Sequence, residues 1–129
     1  MAIVGLGLDV CAIERIQRIL EGPHGKRFLE RVYTDVEREA CAARLDAASA
    51  FAARFAAKEA LVKALGAPPG LRWREMEIVR EAGAPGFRLS GTAAEEVRRR
   101  EVRIHLSMTH DGGMAAATVI LEAGERNSP

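Results

Sequence analysis

The stretch Arg54-Phe55-Ala56-Ala57-Lys58-Glu59-Ala60-Leu61-Val62-Lys63-Ala64-Leu65-Gly66 reads as an alanine-rich helix that carries charge where an apolar stripe is expected. The helical pattern runs from about Ala47 to Leu65 and stops at Gly66 and the Pro68-Pro69-Gly70 turn. On a helical wheel, Phe51, Phe55, Leu61, Val62 and Leu65 gather on one packing face. Ala52, Ala53, Ala56, Ala60 and Ala64 form the opposite face, where small side chains admit another backbone closely. Glu59 and Lys63, four apart, lie at its edge, and by themselves they read as an ordinary helix ion pair. Arg54 and Lys58 fall inside the apolar face. A buried cation is costly unless paired, so they are either partnered or snorkelling to water.

Outward from this helix, the pattern alternates between short strands and capped helices. Ile3 to Val10 is a β-type run in which Gly5 and Gly7 suit a close backbone approach or a bulge. Ile13, Ile16, Ile19 and Leu20 make a helical stripe that ends at Gly22-Pro23-His24-Gly25. Phe28 to Tyr33 leads into Thr34-Asp35-Val36-Glu37, a capping box opening a helix to about Leu45. After the central helix, Met76, Ile78 and Phe87-Arg88-Leu89 read as two strands joined by Gly83-Ala84-Pro85-Gly86. Thr92-Ala93-Ala94-Glu95 predicts a second capping box and a helix through Arg100. Val102 to Thr109 and Met114 to Glu122 form a hairpin around Asp111-Gly112-Gly113. The order β-ααα-ββ-α-ββ, with hairpins segregated from the helices, favours an α+β fold over a doubly wound parallel sheet.

With 129 residues and 48% apolar side chains, one domain over residues 1–123 with a real core is expected, and Gly124 to Pro129 reads as a disordered tail. Nineteen basic and eighteen acidic residues leave a net charge of +1, so no global field argues for nucleic acid. Cys11 and Cys41 lack metal-type spacing and read as reduced, semi-buried residues of a cytoplasmic protein. No apolar run approaches the ~20 residues of a membrane span, so no membrane association is expected.

Two further motifs carry chemistry. Gly7-Leu8-Asp9 places a carboxylate at the end of the first strand, and taken alone that is a turn or cap residue. Ser107-Met108-Thr109-His110 places Ser107 and Thr109 on one strand face, with Met108 and His110 on the other. A strand-end Asp and a helical Glu would suit Mg²⁺, which takes one or two carboxylates plus phosphate oxygens and waters. Spacing does not prove that they converge.

Gly7-Leu8-Asp9, the Arg54 to Gly66 helix with Lys58-Glu59, and Ser107-Met108-Thr109-His110, in this order, resemble the holo-acyl-carrier-protein synthases over roughly Ile3 to Glu122. The resemblance implies the small 4′-phosphopantetheinyl transferase fold. It also implies a Mg²⁺-dependent transfer of phosphopantetheine from coenzyme A to a serine of apo-acyl carrier protein, in support of fatty acid biosynthesis. Adenosine 3′,5′-bisphosphate would be released. Asp9 and Glu59 are implied as the ligands of Mg²⁺, with Mn²⁺ also admissible. Lys63 is the best-placed phosphate contact. Arg54 and Lys58 stand as phosphate contacts or as structural ion-pair partners. His110 reads first as a cofactor or site-wall residue, with a general base and a packed histidine as alternatives.

Arg15 and Arg18, on the polar side of the first helix, form a solvated face by themselves. In the family that helix receives the acidic carrier protein, and Arg15 matches a family Arg. Family members assemble as homotrimers with sites between subunits. Gly66-Ala67-Pro68-Pro69-Gly70 stands where many members carry Gly-Thr-Gly, a departure at the phosphate-contacting loop. Two other functions are compatible with the same residues: a non-catalytic module that binds coenzyme A or a nucleotide, and a transferase serving a polyketide or peptide-synthase carrier.

Overall fold

The computed structural model describes residues 2–124; the remainder of the expected tail, from residue 125 on, lies outside the described residues. Strand β1 (Ile3–Ala12) is followed by helices α1 (Ile13–Glu21), α2 (Gly25–Val32), α3 (Asp35–Ala42) and α4 (Ala47–Ala64). A short 3₁₀ turn (Trp73–Glu75) precedes β2 (Met76–Glu81), β3 (Ala84–Leu89), α5 (Gly91–Arg100), β4 (Val102–Asp111) and β5 (Met114–Ala123). The α+β class is as expected, with all strand pairs antiparallel: β1-β5-β4 in one sheet and β2-β3 in the other. No described helix is long and apolar enough to cross a membrane.

The element order contains one more helix before β2 than the sequence pattern predicts. Residues 25–32, expected only as a lead-in, close a helix of their own, with Phe28 donating its backbone N–H to the His24 carbonyl at 2.9 Å. Its apolar side chains Phe28, Leu29 and Val32 pack on the core, which stabilises a helix too short to persist alone.

Two turns also differ from expectation. The β2–β3 turn is Ala82-Gly83, with φ of 52° and 82°, the double positive φ of a tight hairpin; Ala84 to Gly86 belong to β3. The Thr92 capping box does not form. The helix starts at Gly91, and the Glu75 carboxylate accepts the Thr92 N–H at 3.1 Å, so a distant side chain does the capping. The Thr34 capping box is present in both directions, at 3.2 and 3.0 Å.

Helix α4 decides the architecture. Its alanine face lies on β1 and β5, where Gly7 meets the Ala60 carbonyl and Gly5 the Ala64 carbonyl. Side chains beyond hydrogen at either glycine would hold the helix off the sheet. The opposite face carries Phe51 and Phe55 into an aromatic cluster with Phe28, Tyr33 and Trp73. Because it is buried on both faces, α4 is the centre of the core rather than a surface helix.

Candidate functional site

Strand alternation turns Gly7, Asp9 and Cys11 toward α4, while Leu6, Leu8 and Val10 point outward. Asp9 is thereby held beside the helix edge that carries Glu59 and Lys63. The Lys63 ammonium donates to Asp9 Oδ1 at 2.9 Å and to the Leu8 carbonyl at 3.0 Å. The expected Glu59–Lys63 helix pair is therefore replaced by a pairing across the chain, in which Lys63 meets both the Asp9 carboxylate and the Leu8 carbonyl. Burial first, and then the Asp9 charge, push the Glu59 carboxyl up, partly opposed by Lys63 and Arg15. Arg15 reaches in from α1, its guanidinium 6.0 Å from the centre of the Phe55 ring.

Asp9, Glu59, Lys63 and Arg15 thus converge around the junction of β1 and α4. Asp9 and Glu59, the latter's ionisation opposed by burial and by the Asp9 charge, are a donor set suited to a hard divalent cation. Among the described residues no three His, Cys, Asp or Glu side chains gather. Protein alone would supply two ligands, leaving the other positions to phosphate oxygens and water. The Cys11 thiol nearby is buried and its pKa is raised by that burial, so it is not an activated nucleophile.

Arg54 and His110 lie elsewhere. Arg54 is buried, donates to the Ala50 carbonyl at 3.3 Å, and leaves its Nε without a hydrogen-bond partner. Together with Arg44, Ser49, Arg80 and His110 it lines a small cavity of about 70 Å³. His110 Nε2 stands 3.7 Å from Asp46, whose carboxylate is held below the usual range by the Arg44 guanidinium. The sequence reading missed Arg44, Asp46 and Arg80. They come from the α3–α4 loop and from β2, and no local motif marks them.

The two groups face away from each other. Arg54 and Lys63 are nine residues apart, half a turn round the helix and about 14 Å along it. Asp9 on β1 and His110 on β4 are separated by the whole of β5, about 10 Å. Lys58 is in neither group: it is fully buried and bonded to Glu37 at 2.7 Å, so it does not snorkel. Arg18 pairs with Glu14 at 2.5 Å on the exposed side of α1. His105 pairs with Glu122 at 3.0 Å on β4, and His24 is exposed.

The description "4′-phosphopantetheinyl transferase superfamily" matches residues 5–119, which include both groups of side chains. The chain belongs to that superfamily. It is 62% identical over 123 residues to "Holo-[acyl-carrier-protein] synthase" of Myxococcus xanthus (strain DK1622), covering 95% of this chain and 98% of the relative. The fold superimposes on the Chronobacterium ammoniagenes ACPS–CoA complex with a TM-score of 0.82 at 26% identity, covering 97% and 100% of the two chains. It also matches the Helicobacter pylori holo-[acyl-carrier-protein] synthase in complex with coenzyme A, with a TM-score of 0.77 at 30% identity over 91% and 99%. The resemblance read from three motifs is thus a family relationship over nearly the whole chain, and the enzyme class is phosphopantetheinyl transferase. The non-catalytic module is set aside on that ground.

Proposed function

We propose that this transferase moves 4′-phosphopantetheine from coenzyme A to a serine of an apo-acyl carrier protein, releasing adenosine 3′,5′-bisphosphate. The observation that carries this reading is the convergence of Asp9, Glu59 and Lys63 where β1 meets α4. Mg²⁺, or Mn²⁺, held by Asp9 and Glu59, would neutralise the pyrophosphate of the donor and favour departure of the nucleotide phosphate. Lys63, bonded to Asp9, would stabilise the charge that develops on the same oxygens. In the transfer the serine oxygen forms a bond to the pantetheine phosphorus. The bond from that phosphorus to the bridging oxygen breaks, the oxygen leaves with adenosine 3′,5′-bisphosphate, and the serine proton passes to a base or to solvent.

Arg54 and His110 then serve the nucleotide end of the donor, together with Arg44 and Arg80. Because they face away from Asp9 and Glu59 in one chain, the complete site combines two chains of a homotrimer. The outward row Leu6, Leu8 and Val10, each more than half exposed, supplies apolar surface for that association. Arg15, between α1 and Phe55, and Arg18 on the outer side of α1, meet the acidic carrier. A fatty-acid carrier in the cytoplasm is the default acceptor.

The test is intact-mass spectrometry of an apo-carrier incubated with this protein, coenzyme A and Mg²⁺. A gain of one phosphopantetheine, lost with chelator and with Glu59→Gln, supports the reaction and the metal ligands. No gain on fatty-acid, polyketide or peptide-synthase carriers, from folded protein that binds coenzyme A, would sink the proposal.

A further inference from the structure

Lys58 stands one residue before Glu59, yet it has no exposed surface. An ammonium has three donors, and here three acceptors meet them: the Val32 carbonyl at 2.8 Å, Glu37 Oε1 at 2.7 Å and the Trp73 carbonyl at 2.9 Å. No donor remains for a phosphate. The Tyr33 ring lies 5.5 Å from the same nitrogen. Glu37 is equally occupied, accepting also from the Thr34 N–H at 3.0 Å and the Ile78 N–H at 3.1 Å. The pair therefore joins the end of α2, the start of α3, the 3₁₀ turn and β2 to the helix that carries Glu59.

What the tether holds is the wall beside Glu59. The Trp73 ring stacks on Phe55 with centres 5.4 Å apart. With Val62, Pro68, Leu71 and Met76 it encloses a pocket of about 260 Å³ whose one charged side chain is Glu59. A buried ion pair is weak evidence for stability, since apolar residues of similar size often serve as well. Its persistence here is better explained by what it fixes in place.

We propose that Lys58 is a positioning residue of the transferase site, holding the Trp73 wall against α4 so that the pocket beside Glu59 keeps its shape. The inference rests on the transferase reading given above. It removes Lys58 from the phosphate contacts and gives the structural alternative a specific task.

Trp73 is the single tryptophan, so tryptophan emission, excited selectively beyond the absorption of Tyr33, reports on this wall. Lys58→Met leaves Glu37 buried without its counter-charge and is expected to lose stability. The double variant Lys58→Met/Glu37→Gln removes that imbalance while still lacking the tether. In the double variant kcat is expected to fall on the order of tenfold, with the KM for coenzyme A held within about twofold. Trp73 emission is expected to shift to the red even where the melting temperature recovers. Wild-type kcat and emission in the double variant would overturn the proposal.

Should neither variant fold, lysine-selective ¹⁵N spectra of the wild type decide. The Lys58 ammonium is expected to be protected from exchange and to keep its shift when coenzyme A and Mg²⁺ are added. A large shift, or loss of protection, would assign it to the ligand and overturn the inference. Failure of the transferase reading is seen separately, as a wild-type protein that leaves the carrier mass unchanged.

Discussion

Replacing Gly7 by alanine tests the packing and the site together. A methyl group at Gly7 overlaps the Ala60 carbonyl oxygen, with the Ala60 carbonyl carbon at 2.8 Å and the Ala64 nitrogen at 3.0 Å. These are backbone atoms of α4 and have no rotamer to escape into. Carbon–carbon contact is comfortable from about 3.5 Å, so α4 must retreat from β1 on the order of 1 Å. Overpacking costs about 1–3 kcal/mol when side chains give way, and with a helix backbone as the obstacle the upper end, about 3 kcal/mol, applies. In a chain of this length that lowers the melting temperature by roughly 10 °C or more.

The same retreat separates the two carboxylates, because Asp9 is two residues beyond Gly7 and Glu59 adjoins Ala60. A misplacement of about 1 Å is enough to cost on the order of a hundredfold in turnover. The assay is a circular-dichroism melt together with carrier mass gain measured well below the melt. Gly86→Ala is the control: its methyl meets nothing within 4 Å, and it is expected to stay within about 0.5 kcal/mol of wild type. If Gly7→Ala melts and turns over like Gly86→Ala, the close approach of α4 to β1 is not what sets the site.

Three further outcomes are expected. Burial and the Asp9 charge hold the Glu59 carboxyl above its ordinary value, so the folded protein is penalised wherever Glu59 is ionised and relieved where it is protonated. Glu59→Gln should therefore raise the melting temperature at pH 7 without added metal, the gain fading as pH falls toward about 4.3; an unchanged melt at pH 7 would remove Glu59 from a strained site. Thr34→Ala deletes both the α3 cap and a 2.5 Å hydrogen bond to Glu77, and should cost about 1–2 kcal/mol. That loss should appear as a lower urea midpoint at unchanged slope, while a shift within error would mean that Glu37 holds the helix start without it. Arg15→Glu should raise the KM for carrier protein and leave coenzyme A binding nearly intact; equal loss of both would place Arg15 in the donor site instead.

Local signals are strong for some elements and silent for others. The Gly112-Gly113 turn of the β4–β5 hairpin and the Thr34–Glu37 cap are contacts between near neighbours, so they are written in adjacent residues. The α2 helix is not. Residues 25–32 hold a helix because Phe28, Leu29 and Val32 find the α4 aromatics, and nothing within the segment announces those partners. The Thr92 box shows the reverse error, a correct local pattern displaced by Glu75 from seventeen residues away.

The candidate site divides in the same way. Three motifs nominate Asp9, Glu59, Lys63, Arg54 and His110, and the structure gathers the first three at the β1–α4 junction while it sets Arg54 and His110 around a separate cavity. The composition of α4, alanine on one face and aromatics on the other, also determined that it would be buried on both sides. Tertiary structure alone decided which charge meets which. Lys63 takes Asp9 rather than Glu59, Lys58 takes Glu37, and Arg44 and Arg80 join His110, since each pairing spans elements whose separation in the chain says nothing of their distance in space. Helix periodicity can place a charge on a face, but a buried charge chooses its partner by which carboxylate or carbonyl the packed core brings within about 3 Å.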